Sequence, residues 1–233
     1  MKLAIMQPYL FPYLGYFQLV AAADRFVFFD DVNYINRGWI NRNRVLLSDE
    51  VHYMTVPLSG ASQSRKINEI DIQPRDLWLR KLLESIRHAY AKAPHYARVN
   101  ELLSDVLGLT ATSAVTSIAT LASRSVVDVA RYLKLDTDFV MSSAPYGNAA
   151  LKGEQRLLDI CAKERADCYV NLPGGKALYA PDTFASAGID LVFIEPALLP
   201  YTQHGKTFHP GLSILDVLMF NDPDEARAML ATG

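Results

Sequence analysis

The stretch Arg37-Gly38-Trp39-Ile40-Asn41-Arg42-Asn43-Arg44 packs three arginines, two asparagines and a tryptophan into eight residues. Guanidinium forks bind phosphate or carboxylate in two-pronged fashion, amides suit hydroxyl groups, and an indole face suits a base or a sugar. In an extended chain, Arg37, Trp39 and Asn41 share one side while Arg42 and Arg44 share the other, so one ligand does not meet every arginine. A solvated basic loop is the plain alternative. Just upstream, Asp30-Asp31 ends an apolar run and offers a general base, a partner for an arginine, a metal ligand, or simply a turn cap. On a strand the two carboxylates point to opposite faces, which argues against a paired action.

Two further segments have residue types suited to chemistry. Gln7-Pro8-Tyr9-Leu10-Phe11-Pro12-Tyr13-Leu14-Gly15-Tyr16-Phe17 follows the first apolar run, and ligands of open α/β sheets bind beyond the carboxyl ends of strands. There Gln7, Tyr9, Tyr13 and Tyr16 are polar groups costly to bury for packing alone. Gly15 permits close backbone approach, and the helix that follows presents free N–H groups to an anion. Asn171-Leu172-Pro173-Gly174-Gly175-Lys176 also follows an apolar run. Its Gly174 and Gly175 amides with the Lys176 ammonium suit an oxyanion, although the spacing is not that of a P-loop and a plain turn fits equally. The five histidines (52, 88, 95, 204, 209) form neither HExxH nor HxH, so no metal ligands are assigned, and a GxSxG elbow is absent. His204 and His209 read as loop residues. Cys161 and Cys168 read as reduced thiols on nearly one face of a helix, not as a redox or zinc pair.

The elements that must position these residues alternate. Strands are expected at Lys2–Met6, Arg25–Phe29, His52–Pro57, Asp138–Ser142, Cys168–Leu172 and Leu191–Ile194, with Lys66–Ile72 as an edge strand. Helices are expected at Phe17–Ala23, from Pro74 to Pro94, from there to about Leu107, beyond Gly108 to Leu133 (with Val115, Ile118, Ala122, Val126 and Val129 on one face), at Gly153–Glu164, at Asp182–Ala187, and after an N-capping Ser213. Strand, crossover and strand, with little polar alternation, predict an α/β fold. Its sheet is mostly parallel and doubly wound (Rossmann-like), with helices on both faces and a helical insertion around 75–135. One domain over 1–233 fits the length.

Half of the 233 residues are apolar and 21% are charged, a core-building composition that excludes disordered and low-complexity classes. With 23 basic against 25 acidic residues, no polycationic coat for nucleic acid is expected. The N-terminus is interrupted by Pro8 and Pro12 and does not read as a signal peptide. No apolar run reaches the ~20 residues of a membrane span. A cytoplasmic protein is expected, and the sequence assigns no cofactor.

The segments QPYLFPYLGYFQLV, FFDDVNYINRGWINRNRV, NLPGGKALY and the closing F-x-P-x-LSILDVLMFN together resemble the WbqC-like protein family, over essentially the whole chain. Members of that family are bacterial and often lie beside genes for O-antigen or other surface-polysaccharide synthesis; some are described as transferring an amino acid such as glycine. Relatives tend to have a Ser-Gly-Pro step where this chain has Asn171-Leu172-Pro173, so a serine role there does not carry over. A looser likeness, in the strand–loop–helix opening alone, is to nucleotidyl-transferring enzymes of the HIGH class, whose two histidines are absent here. The resemblance implies a transferase acting on a small phosphate-bearing substrate, by acyl or aminoacyl transfer to a nucleotide-linked amino sugar in surface polysaccharide biosynthesis. In that reading Arg37, Arg42 and Arg44 hold phosphate or carboxylate and Trp39 stacks on a ring. Gln7 and Asn41 fix hydroxyls or amides, and Asp30 or Asp31 is the general base. Magnesium-dependent nucleotidyl transfer and a non-catalytic assembly protein of such a pathway are the alternatives.

Overall fold

The computed structural model describes residues 1–108 and 117–231. In chain order the elements are β1 (Lys2–Met6), α1 (Leu14–Ala22), β2 (Arg25–Phe28), β3 (Arg42–Leu47), β4 (Glu50–Thr55), β5 (Leu58–Ser59) and β6 (Asp71–Ile72). Three helices follow, α2 (Leu79–Tyr90), α3 (Tyr96–Gly108) and α4 (Ile118–Tyr132). The chain continues through β7 (Asp138–Val140), α5 (Gly153–Glu164), β8 (Cys168–Asn171), α6 (Pro181–Ser186) and β9 (Asp190–Phe193), and then α7 (Ile214–Phe220) and α8 (Pro223–Ala228).

Five strands form one parallel sheet in the order β7-β2-β1-β8-β9. Alternation along each strand sends successive side chains to opposite faces. Ala4, Phe26, Phe28 and Val170 enter one buried cluster with Phe17 and Val20 of α1 and Val126 and Val129 of α4. Leu3, Ile5, Val27 and Tyr169 enter the other with Leu157 and Ile160 of α5 and Phe184 of α6. Helices therefore cover both faces, as the unbroken apolar strands require, and the fold is the expected doubly wound α/β class. From β1 the chain builds outward to β2 and β7, then returns to the other side of β1 for β8 and β9. The order reverses between β1 and β8, and a crevice outside the carboxyl ends of the strands is expected at such a reversal.

Several local expectations change. The basic stretch does not remain a loop: from Arg42 it becomes β3, paired antiparallel with β4 through a turn whose Ser48 and Asp49 both have positive φ (53° and 65°). Both left-handed centres give the turn type that matches strand twist, but Ser-Asp lacks the usual Asn-Gly signature. The expected His52–Pro57 strand thus lies in a hairpin outside the main sheet. Lys66–Ile72 is no long edge strand, because Ile67–Glu69 forms a single 3-10 turn between an isolated bridge of Lys66 to Asn33 and the short pairing of Asp71–Ile72 with β5. Cys161 sits on α5 but Cys168 starts β8, since Arg165 ends the helix in the left-handed region (φ 56°). Of the helix expected after Gly108, residues 109–116, including Val115, lie outside the described residues. The final helix is capped as expected, the Ser213 hydroxyl accepting from the Leu215 N–H. The capping box of α8, between Asp222 and Glu225, went unread in the sequence.

Candidate functional site

The loop after β1 is fixed from four directions. Leu10 N–H donates to the Trp39 carbonyl (3.0 Å), and the buried Asn43 amide donates to the carbonyls of Leu10 and Phe11 (3.1 and 3.0 Å). Phe11 N–H donates to Ser125 Oγ of α4 (2.9 Å), and Ser213 Oγ donates back to the Phe11 carbonyl (2.8 Å). Phe11 itself has φ 40°, an uncommon conformation for a bulky residue, which these contacts over-determine. The loop and the start of β3 are thereby held edge to edge.

Between them lies a cavity of about 350 Å³. Tyr9, Pro12 and Tyr13 form one wall and Trp39, Asn43 and Arg44 another; Leu198, Pro210 and Gly211 close it from the segment that joins β9 to α7. The lining is mainly apolar and aromatic, with Arg44 as its one permanent charge. Arg44 Cζ lies 5.5 Å from the Trp39 ring centroid, and Nη2 donates to the Gly211 carbonyl (2.7 Å). Its Nε is buried and has no hydrogen-bond partner among the described residues. A buried unpaired N–H costs roughly 1–3 kcal/mol, more when charged. Gly211 stands at φ 67°, and a Cβ there would lie 3.2 Å from Arg44 Nη2.

The other basic and amide residues face elsewhere. Asn41 is buried, accepting from Tyr34 Oη (2.9 Å) and donating to the Val56 carbonyl (2.8 Å). Arg42 donates to the carbonyls of Gly38 and Arg37 and lies 4.4 Å over the Tyr53 ring, so it closes its own turn. Arg37 is exposed, with φ 58°, and enters no ion pair among the described residues. The extended geometry expected for 37–44 therefore begins only at Arg42, which is why Trp39 and Arg44 meet despite their odd spacing.

Tyr16 is wholly buried and donates to the Gln7 carbonyl (2.8 Å), with its ring against Tyr9 (5.6 Å between centroids). Burial pushes the Tyr9 and Tyr13 phenols above their ordinary values, so both remain neutral donors at pH 7. At Gly15 an added Cβ would meet the Tyr13 ring at 2.5 Å and Pro196 at 2.8 Å. Gly15→Ala is accordingly expected to lower stability by about 1–3 kcal/mol by forcing Tyr13 into or out of the cavity. A thermal unfolding midpoint unchanged within 1 °C would contradict it. Across the strand reversal, Gly175 packs against Asn171 and Tyr179, and exposed Lys176 pairs with Glu195 (2.5 Å).

Asp30 and Asp31 do not diverge as strand alternation predicted. β2 ends at Phe28, and the chain turns through Asp30 N–H to the Phe28 carbonyl (3.1 Å). Both carboxylates meet the Ser143 hydroxyl beyond β7. Asp31 pairs with Arg156 of α5 (2.5 Å), both side chains nearly inaccessible at 5% and 6%. Asp30 Oδ1 accepts from Ser142 Oγ (2.8 Å) and Ser143 N–H (3.0 Å). Burial raises the Asp30 carboxyl above its ordinary value, the serine donors only partly opposing this. Neither aspartate is in the cavity lining; Phe29 N–H donates to the Met6 carbonyl (2.8 Å), so Asp30 leaves the sheet at the same carboxyl edge as Gln7.

Sequence reasoning passed over Asn43, Leu198, Pro210 and Gly211 as site residues, and Arg156, Ser142 and Ser143 as partners of the aspartates. Pro210-Gly211 ahead of an N-capping serine was the readable signal for the third wall. Among the described residues, no group of three or more His, Cys, Asp or Glu is arranged to hold a metal ion, and no helix is long and apolar enough to cross a membrane.

A parallel rim with a strand reversal, an aromatic loop after β1 and an arginine-bearing hairpin define an α/β protein with a small-molecule-sized cavity. The chain belongs to the WbqC-like protein family, whose model matches residues 7–228. It is 30% identical over 227 residues to the uncharacterized protein Rv1507c of Mycobacterium tuberculosis (strain ATCC 25618 / H37Rv), covering 97% of this chain and 95% of that protein. No solved structure matches it.

Proposed function

We propose that the protein is a transferase acting on a small phosphate-bearing substrate, by acyl or aminoacyl transfer to a nucleotide-linked amino sugar in surface polysaccharide biosynthesis, in the cytoplasm. The observation that carries the binding half of this reading is the Arg44 guanidinium, the one permanent charge in a cavity lined mainly by apolar and aromatic residues. An acceptor oxygen on a ring-bearing anion pairs with that guanidinium, while Tyr9, Tyr13 and Trp39 cover the ring. About 350 Å³ accommodates a sugar or nucleoside unit, within the lower range of ligand pockets. Arg37, exposed near the Trp39 side, is the cation left for a second charge. Family membership supports the polysaccharide setting only through the properties its members share.

For transfer to an amine, a base must take a proton as the new bond forms. Asp30 is the rim carboxylate without an arginine partner among the described residues, and burial makes it a stronger base than a free aspartate. In this reading Gln7, at the same carboxyl edge of the sheet, orients an acceptor amide or hydroxyl. Without an assigned nucleophile, rate enhancement rests on positioning and fixed charge.

Titration calorimetry with uridine and thymidine diphosphate amino sugars, and with inorganic phosphate, tests the binding half. Arg44→Ala is expected to weaken binding about tenfold to a hundredfold, the range for a charged hydrogen bond. Arg44→Lys, which keeps the charge and loses the fork, is expected to recover little of it. Equal affinity in wild type and Arg44→Ala sinks the proposal.

A further inference from the structure

The buried carboxylate of Asp216 belongs to none of the groups above, yet two walls of the cavity are tied to it. It lies in the first turn of α7 with no solvent exposure. Oδ2 accepts from Tyr90 Oη (2.7 Å), and Tyr90 Oη accepts from Leu46 N–H (3.0 Å), two residues along β3 from Arg44. Oδ1 accepts from Tyr201 Oη (2.7 Å) and Gln203 Nε2 (2.9 Å). The Gln203 amide then holds the His209 backbone at both ends, donating to its carbonyl (3.1 Å) and accepting from its N–H (2.8 Å). Pro210 and Gly211, which follow directly, line the cavity, and the Gly211 carbonyl takes Arg44 Nη2.

From this geometry we infer that Asp216 is a positioning residue for the cavity: one ionised side chain indexes the arginine wall and the 197–211 strap to each other. The inference rests on reading this cavity as the ligand site. Charge is what the arrangement uses. A carboxylate accepts from all three donors at once, whereas an amide or a protonated acid offers one group that donates instead, and the Tyr90 hydroxyl already accepts from Leu46. The strap contains no helix or strand between 197 and 211, so its path depends on such side-chain ties, a second being Gln18, which pairs with both backbone groups of Ala197 (3.0 Å each).

Backbone hydrogen exchange on the full chain decides it. In Asp216→Asn the amides of Leu46 and His209 are both expected to exchange about tenfold faster or more, with Phe26 to Phe28 of β2 unchanged, as in local rather than global opening. Tyr90→Phe is expected to release Leu46 alone and Tyr201→Phe His209 alone, and these two variants decide the matter if Asp216→Asn does not fold. Faster exchange throughout β2, or release of only one wall in Asp216→Asn, overturns the inference. Affinity for UDP-N-acetylglucosamine is the second readout, expected to fall about tenfold in Asp216→Asn through loss of pre-organisation. Unchanged affinity overturns the positioning role. If the wild type does not bind this probe, the functional reading is at fault, and the exchange pattern still decides the role of Asp216.

Discussion

Asp31→Ala is expected to cost about 3–5 kcal/mol of folding stability, the usual penalty for leaving a buried charge without its partner. Arg156 is the charge left behind. Its guanidinium sits 4.6 Å over the Phe29 ring and donates from Nε to Asn148 Oδ1 (3.0 Å), neither of which neutralises it. Arg156→Met is expected to cost a similar amount, since Asp31 then retains, among the described residues, only the Ser143 hydroxyl. Replacing both by apolar residues is expected to recover most of the loss, because two desolvation costs vanish with the attraction. Urea midpoints of the two single variants and the double variant close the cycle. A single-variant loss below about 1 kcal/mol, the range of exposed pairs, would mean that water reaches the site. The pair also sets where Asp30 stands, because it ties the end of β2 to α5 while Ser143 ties both carboxylates to the segment after β7.

What could be read from the sequence followed how far each signal is local. Lys2–Met6 and Arg25–Phe28 are short apolar runs that stay buried in either register, so their burial and parallel pairing were legible. Tyr9 and Tyr13 meet Trp39 and Arg44 because a β1 loop and a basic stretch after β2 leave the same edge of a parallel sheet. Which arginine faces the cavity was not legible. It depends on the turn that Arg42 closes on Gly38 and on the hairpin through Ser48-Asp49, whose left-handed centres have no strong residue signature. Arg156 lies 125 positions from Asp31, and no spacing rule links a helix residue to a strand end across that separation. Asp216 reads locally as an acidic residue favourable to the α7 dipole. Its burial follows only from Tyr90 and Tyr201 arriving from distant segments.

The strand reversal between β1 and β8 gives these pieces one frame. The loop after β1 supplies Gln7 and the aromatic wall. β2 supplies Asp30 one strand away, and the connection after β9 returns across α1 to close the cavity over Arg44. In the proposed reading, binding and base functions thus come from adjacent strand ends. Gly174, Gly175 and Lys176, after β8, lie on the other flank of the reversal, where Lys176 already carries its own counter-ion in Glu195.

Asp30→Asn separates stability from catalysis at this rim. Burial raises the Asp30 carboxyl, so the native state takes up its proton more readily than the unfolded chain does. A group shifted in this direction makes the protein less stable as pH rises from the ordinary value of 3.8 through the raised one, and that penalty persists at pH 7. Asparagine keeps an acceptor oxygen for Ser142 Oγ and the Ser143 N–H and removes the buried charge. Its unfolding midpoint at pH 7 is therefore expected to equal or exceed the wild-type value, with the difference closing below pH 4. Transfer activity on an amino-sugar acceptor is expected to fall about 10²- to 10⁴-fold, the usual contribution of a positioned base. The wild-type rate is expected to be lost as pH drops through the raised Asp30 value. A variant that is less stable at pH 7 would show that the carboxylate is held for structure, and one that is equally active would remove Asp30 from the reaction. Ser143 makes the distinction readable, since its hydroxyl stays on Asp31 in either case and keeps the ion pair with Arg156 in place.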